Sequence, residues 1–101
     1  MPPVDLDVQA VADLDAIYDY IGIENHSPLA ADRFLDALGE KLRLYALQPL
    51  MGELRPDFGE SIRIFSFDNY VVIYRPTEDG IDVLRVLEGH RDYPALFHPS
   101  P

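Results

Sequence analysis

The stretch YVVIYRP, residues 70–76, carries apolar or aromatic side chains at five consecutive positions, and in an extended strand successive side chains point to opposite faces. Such a strand is stable only when both faces are covered, which places it inside a sheet with apolar material on each side. Two further strand-length runs rich in β-branched and aromatic residues, SIRIFSF before it and IDVLRVL after it, are joined to it by Asp68-Asn69 and by TEDG. Turns this short predict antiparallel pairing of consecutive strands. VDLDV, near the N-terminus, can add one short edge strand.

The cover must come from the first half of the chain. In VQAVADLDAIYDYIGIEN, Val11, Leu14, Ile17, Tyr18 and Ile21 recur at spacings of three and four, with Asp13, Asp15 and Asp19 between them. That is the pattern of an amphipathic helix with an acidic outer face, and Asp7 stands where an N-cap would accept its first free N–H groups. A second helix is predicted from Ser27 as N-cap and Pro28 as first helical residue, with Ala31, Phe34, Leu35, Leu38, Leu42 and Tyr45 on its apolar side and Pro49 as its stop. The connection ENHS is short, so the helices form an antiparallel hairpin that needs a sheet beneath it. The connector QPLMGELRPDFGE, punctuated by Pro49, Gly52, Pro56 and Gly59, reads as loop. The expected architecture is α+β, β-α-α-β-β-β: an N-terminal helical hairpin packed on a small antiparallel sheet. A chain of 101 residues buries roughly two-thirds of its unfolded surface in one modest core, so residues 1–101 are read as a single domain.

Composition narrows the chemistry. Without cysteine there are no disulfides, thiolate nucleophiles or cysteine-ligated zinc. No run approaches the ~20 apolar residues of a membrane span, and MPPVDLDV lacks the regions of a signal peptide; a cytoplasmic location is expected. The net charge of −10 repels phosphate backbones, so direct nucleic-acid binding is not expected. The charge is uneven: residues 1–40 hold nine acids against Arg33 alone, and residues 41–101 hold nine acids against seven bases.

Asp15 with Asp19, and Asp32 with Asp36, stand four apart on helices, which ordinarily means a solvated face. His26, His90 and His98 fit no zinc-ligand spacing, and neither metal nor cofactor is expected. The chain has no glycine-rich phosphate loop and no nucleophile elbow. What remains are the strand arginines, Arg63, Arg75 and Arg85, with Arg91 after the last strand. On one sheet face they would make a cationic patch among aromatics, edged by His90 and Tyr93, able to grip an acidic partner or a phosphate. The alternative for each arginine singly is an ion pair with the chain's own acids, such as Asp82 or Glu88.

DLDAIYDYI, then SPLAADRFLDAL, then the pattern P-x-x-G-x-x-R at Pro49, Gly52 and Arg55, then SIRIFSFDNYVVIYRPTEDGIDVLRVLEGHRD together resemble the ParE branch of the RelE/ParE toxins of type II toxin–antitoxin modules. The resemblance runs from about residue 5 to residue 97 in the family's order, and the family's fold agrees with the one reached from periodicity. RelE-like members cut messenger RNA on the ribosome, with a basic residue just after the tyrosine of the strand matched by YVVIYRP, an arginine after the last strand and a tyrosine near the C-terminus. Here those positions hold Val71, Arg91 and Phe97, so two of three roles are vacant; Tyr93 or His98 could stand in spatially. ParE-like members are implied to poison DNA gyrase by binding protein, with no catalytic residue of their own. A histidine often follows the last strand's leucine in that branch, and Glu88 stands there instead.

The resemblance therefore implies a gyrase-binding toxin in a hetero-oligomer with a cognate, ParD-like antitoxin. The alternatives are a RelE-like ribonuclease and an inactive antitoxin-binding member. Target contact is expected from Arg85, His90, Arg91 and Tyr93, with Tyr93, Leu96 and Phe97 packing as the chain turns back after Gly89. Antitoxin contact is expected from Arg63, Arg75, Phe34 and Leu38, in a groove between hairpin and sheet.

Overall fold

The computed structural model describes residues 1–89. A short strand β1 (Val4–Leu6) leads into helix α1 (Val8–Glu24) and helix α2 (Pro28–Leu47). A 3-10 turn at Pro49–Met51 follows, then strands β2 (Glu53–Leu54), β3 (Arg63–Phe67), β4 (Tyr70–Pro76) and β5 (Ile81–Glu88). The sheet order is β1-β5-β4-β3-β2.

Local chemistry starts and stops the helices as expected. The Asp7 carboxylate accepts from the Gln9 N–H at 3.0 Å, whereas Ser27 takes the N-cap position of α2 without a side-chain bond. At the end of α1 the Ser27 N–H donates to the Gly22 carbonyl and the His26 N–H to the Ile23 carbonyl. His26, at φ 51°, thus fills the left-handed position of a Schellman closure, and this turn is its structural role.

The sheet differs from the expectation in three ways. It is mixed, not wholly antiparallel, because β1 runs parallel to β5, with Val4 opposite Ile81 and Leu6 opposite Val83. Parallel neighbours require a long crossover, and everything between β1 and β5 supplies it. The connector after α2 also contributes β2, paired with β3 through Glu53–Ile64 and Leu54–Arg63. Finally, β5 carries a bulge: Ile73 faces Arg85 but Tyr74 faces Val83, leaving Leu84 as the extra residue.

The two covers demanded by YVVIYRP are both present. Val72 and Tyr74 join Phe65, Ile81, Val83 and Val86 beneath Ala10 and Ile17 of α1 and Phe34, Leu38, Leu42 and Ala46 of α2. Val71 and Ile73 point the other way, where Ile64 and Leu87 pack with Phe58 from the connector and Ile62 just before β3. The hairpin supplies one cover; the other joins Phe58, from the segment read as loop, to Ile62 of the run SIRIFSF.

Candidate partner-binding surfaces

The bulge in β5 decides the fate of Arg85. Val83 and Val86 both pack toward the helices, while Leu84 and Leu87 pack on the other face, so two residues rather than one separate the helix-facing positions. Arg85 is one of those two residues, and its side chain reaches α1. Its Nε and Nη2 donate to the two carboxylate oxygens of Asp13 at 2.8 and 2.9 Å. Asp13 also accepts the Val86 N–H at 2.9 Å. β1 stops opposite Val83, so Asp13 takes the place of a strand at this edge. The bond to Asp13 raises the Arg85 guanidinium above its ordinary value, against the opposing effect of burial.

Beside this clamp lies a depression of about 350 Å³ lined by Asp13, Ile17, Tyr20, Tyr70, Arg85 and Glu88, among others. Tyr20 and Tyr70 also line two adjoining hollows, one over Ser66, Asp68 and Asn69 and one over Glu24, Arg33 and Phe34. Three shallow grooves thus meet at a tyrosine pair on the end of the molecule where β5 finishes. Tyr20 is 59 % exposed. Burial, then the neighbouring Glu88, push the Tyr70 phenol upward, so it stays a neutral donor at physiological pH.

The P-x-x-G-x-x-R pattern has a structural meaning. Tyr74, fully buried, donates from its hydroxyl to the Pro49 carbonyl at 2.7 Å and accepts from the Gly52 N–H at 2.9 Å. A Cβ on Gly52 would meet the Tyr74 ring carbon at 2.8 Å and the Ile64 carbonyl at 2.9 Å, which explains glycine there by close approach. Arg63 secures the same turn from outside, donating to the Leu50 and Gly52 carbonyls at 3.1 and 2.8 Å. Arg55 is bidentate to Asp57 at 2.9 and 2.7 Å and lies over the Phe58 ring, 4.4 Å from its centroid. Pro49 and Gly52 therefore anchor the connector to β4, and Arg55 braces the lobe that covers the far face.

Burial raises the Tyr74 phenol above its ordinary 10.0. An acid whose folded pKa is raised is stabilised in its protonated form, so the contribution is complete below the unfolded value and is lost as pH climbs past it. The free energy of unfolding is expected to fall above about pH 10, less steeply in Tyr74→Phe; a urea series across that range checks it.

The expected cationic patch on one face does not assemble. Arg85 turns to α1, Arg63 turns to the 3-10 turn, and Arg75 is exposed opposite Asp82 across the β4–β5 pair. Phe34 and Leu38, expected to touch an antitoxin, lie in the core at 9 % and 2 % exposure. Phe34 still borders the third hollow. His90, Arg91 and Tyr93, with Leu96, Phe97 and His98, lie outside the described residues. Tyr20 and Asp13, which line the first depression, carry no local signal in the sequence. Asp13 read as one of three outer-face acids, and nothing local marks it as the one that reaches the sheet. Among the described residues no cluster of His, Asp and Glu is arranged to hold a metal ion, and no helix is long and apolar enough to cross a membrane.

The family model described as ParE toxin of type II toxin–antitoxin system, parDE, matches residues 4–93. A solved structure described as the chromosomal ParDE TA system from P. aeruginosa shares 23 % identity and a TM-score of 0.70, over 87 % of this chain and 96 % of that one. At that identity the likeness concerns the fold. No curated protein matches the sequence.

Proposed function

The chain belongs to the ParE toxin family of type II toxin–antitoxin systems, and from that premise we propose that it acts by binding DNA gyrase in the cytoplasm, without catalysis, and is neutralised by a cognate antitoxin. The observation that carries this reading is Val71. Where the RNA-cutting branch of the superfamily has a basic side chain, this chain has a valine 6 % exposed, packed in the far-face cluster. A buried aliphatic group can neither hold a phosphate nor move a proton. Arg85 adds support: its guanidinium is committed to Asp13 at 2.8 Å, which makes it an organiser of the end of β5 rather than a free anion receptor. The charge of −10 suits a protein target better than the RNA-rich ribosome.

In this reading Arg85 sets the end of β5 from which residues 90–93 continue in sequence, and His90, Arg91 and Tyr93 reach the target. Purified protein is expected to inhibit gyrase supercoiling and to trap cleaved DNA. Arg91→Ala should weaken that inhibition at least tenfold, the scale of a hot-spot truncation, with an unchanged melting temperature. Supercoiling untouched at large excess would overturn the gyrase reading. Codon-specific cuts in ribosome-bound message, lost in Arg91→Ala, would install the ribonuclease in its place.

A further inference from the structure

Leu44 and Leu47 at the end of α2, Leu50 and Met51 in the 3-10 turn and Leu54 in β2 are 40, 62, 69, 44 and 47 % exposed. Single exposed leucines are ordinary. Here, however, five large apolar side chains crowd into residues 44–54, and the core does not use them: α2 faces inward through Leu38, Leu42 and Ala46. Leu44 and Leu47 stand three apart on the last turn of α2, and Leu50, Met51 and Leu54 follow directly in the 3-10 turn and β2, so the five make one apolar stripe along the chain where the helix ends. Lys41 precedes Leu44 by three and Arg43 precedes Leu47 by four, and both are exposed. Neither forms an ion pair among the described residues, where the ion pairs are Arg55–Asp57 and Arg85–Asp13. The helix dipole does not account for them, because it acts within the last turn and the last turn of α2 holds no base. The outer surface of α2 thus shifts from a net acidic stretch, Asp32, Asp36 and Glu40 against Arg33, to Lys41 and Arg43 near its end.

We propose that this leucine stripe, headed by Lys41 and Arg43, is the seat of an acidic amphipathic helix of the antitoxin. The inference rests on the toxin–antitoxin reading and says where on this chain neutralisation takes hold. A helix laid in such a seat presents apolar anchors at spacings of three and four, with carboxylates along the flank that meets the two cations. Strand addition at β2 is a poor substitute, since β2 has only two residues, Glu53 and Leu54. A second copy is disfavoured on charge: it brings another −10, and a twofold contact on this patch sets Lys41 and Arg43 near their own copies. A segment that folds as it docks covers the stripe without needing a preformed groove.

The probe is the small protein encoded beside this chain's gene, purified and titrated against the full chain by calorimetry. The paired substitution Leu47→Asp with Leu50→Asp is expected to weaken binding at least tenfold. Ile23→Asp with Leu29→Asp, at residues 73 and 54 % exposed near the interhelical turn, should leave it unchanged. Lys41→Glu with Arg43→Glu should weaken binding and flatten its salt dependence. All six positions are exposed, and melting temperatures would confirm that the variants fold. A complex that forms with undiminished affinity in the Leu47/Leu50 variant overturns the seat while leaving the toxin–antitoxin reading intact. If the wild-type chain binds no such protein, the reading and the seat fail together. A chain that doubles its mass alone, and loses this with Leu47→Asp, would assign the stripe to a second copy instead.

Discussion

Asp13→Ala is expected to lower the unfolding free energy by about 3 kcal/mol, the range for stranding one partner of a largely buried charge pair after allowing for partial exposure. The side chains of Arg85 and Asp13 are 20 % and 15 % exposed, so solvent reaches the pair but does not replace it. The substitution removes three bonds at once, two from the guanidinium and one from the Val86 N–H. At ~5 °C per kcal/mol for a chain of this length, the melting temperature should drop by about 15 °C. Arg85→Ala should cost less, about 1–2 kcal/mol, because the carboxylate keeps the Val86 N–H. The order of the two is the informative part. If Arg85→Ala proved as damaging as Asp13→Ala, the bond to the strand edge would contribute nothing, and Asp13 would act through the ion pair alone.

The second large effect is expected at Gly52. Gly52→Ala places a methyl against the Tyr74 hydroxyl and within 2.9 Å of the Ile64 carbonyl. Tyr74 is fully buried and packed edge-on against Tyr45 and at a tilt against Phe65, so it cannot swing aside, and the Ile64 carbonyl belongs to the β3 backbone. A loss of about 3 kcal/mol is expected from overpacking together with the displaced hydrogen bond. Tyr74→Phe should cost about 1–3 kcal/mol by leaving the Gly52 N–H and the Pro49 carbonyl without their partner. The two share one contact, so the double substitution should cost less than the sum. Strict additivity in urea unfolding would mean that the hydroxyl is not what Gly52 accommodates.

Much of this molecule was legible from side-chain period. The spacing of Leu14, Ile17 and Ile21, the capping chemistry of Asp7, the stop at Pro49 and three strands separated by short turns all correspond to observed elements, although Val11 of the same spacing faces outward and Ala10 is buried in its place. These signals are local: capping, turn formation and amphipathic spacing act over a few residues, so a linear reading contains them. The connector was not legible, because Phe58 has no periodic company in RPDFGES and acquires meaning only beneath Ile62, Ile64, Val71, Ile73 and Leu87. Nor was the candidate site. The arginines on the strands were visible as arginines, but where each one turns depends on distant partners, the 3-10 turn for Arg63 and Asp13 of α1 for Arg85. Position 71 was different: a valine within an apolar run is destined for burial whichever face it takes.

α2 shows where sequence stopped and tertiary structure began. Its apolar positions fall in two sets, Leu38, Leu42 and Ala46 on one side and Leu44 and Leu47 on another, and helical period supports either. Packing against the sheet selected the first for the core and left the second facing water. Likewise the sequence by itself required a central strand covered on both faces and a helical hairpin to cover one of them. Which acid would meet Arg85, in which direction β1 would run, and what would close the far face were decided by groups distant along the chain, as Asp13 and Arg85 are, 72 positions apart. Such pairings depend on how assembled elements approach one another, and no short window of sequence contains that geometry.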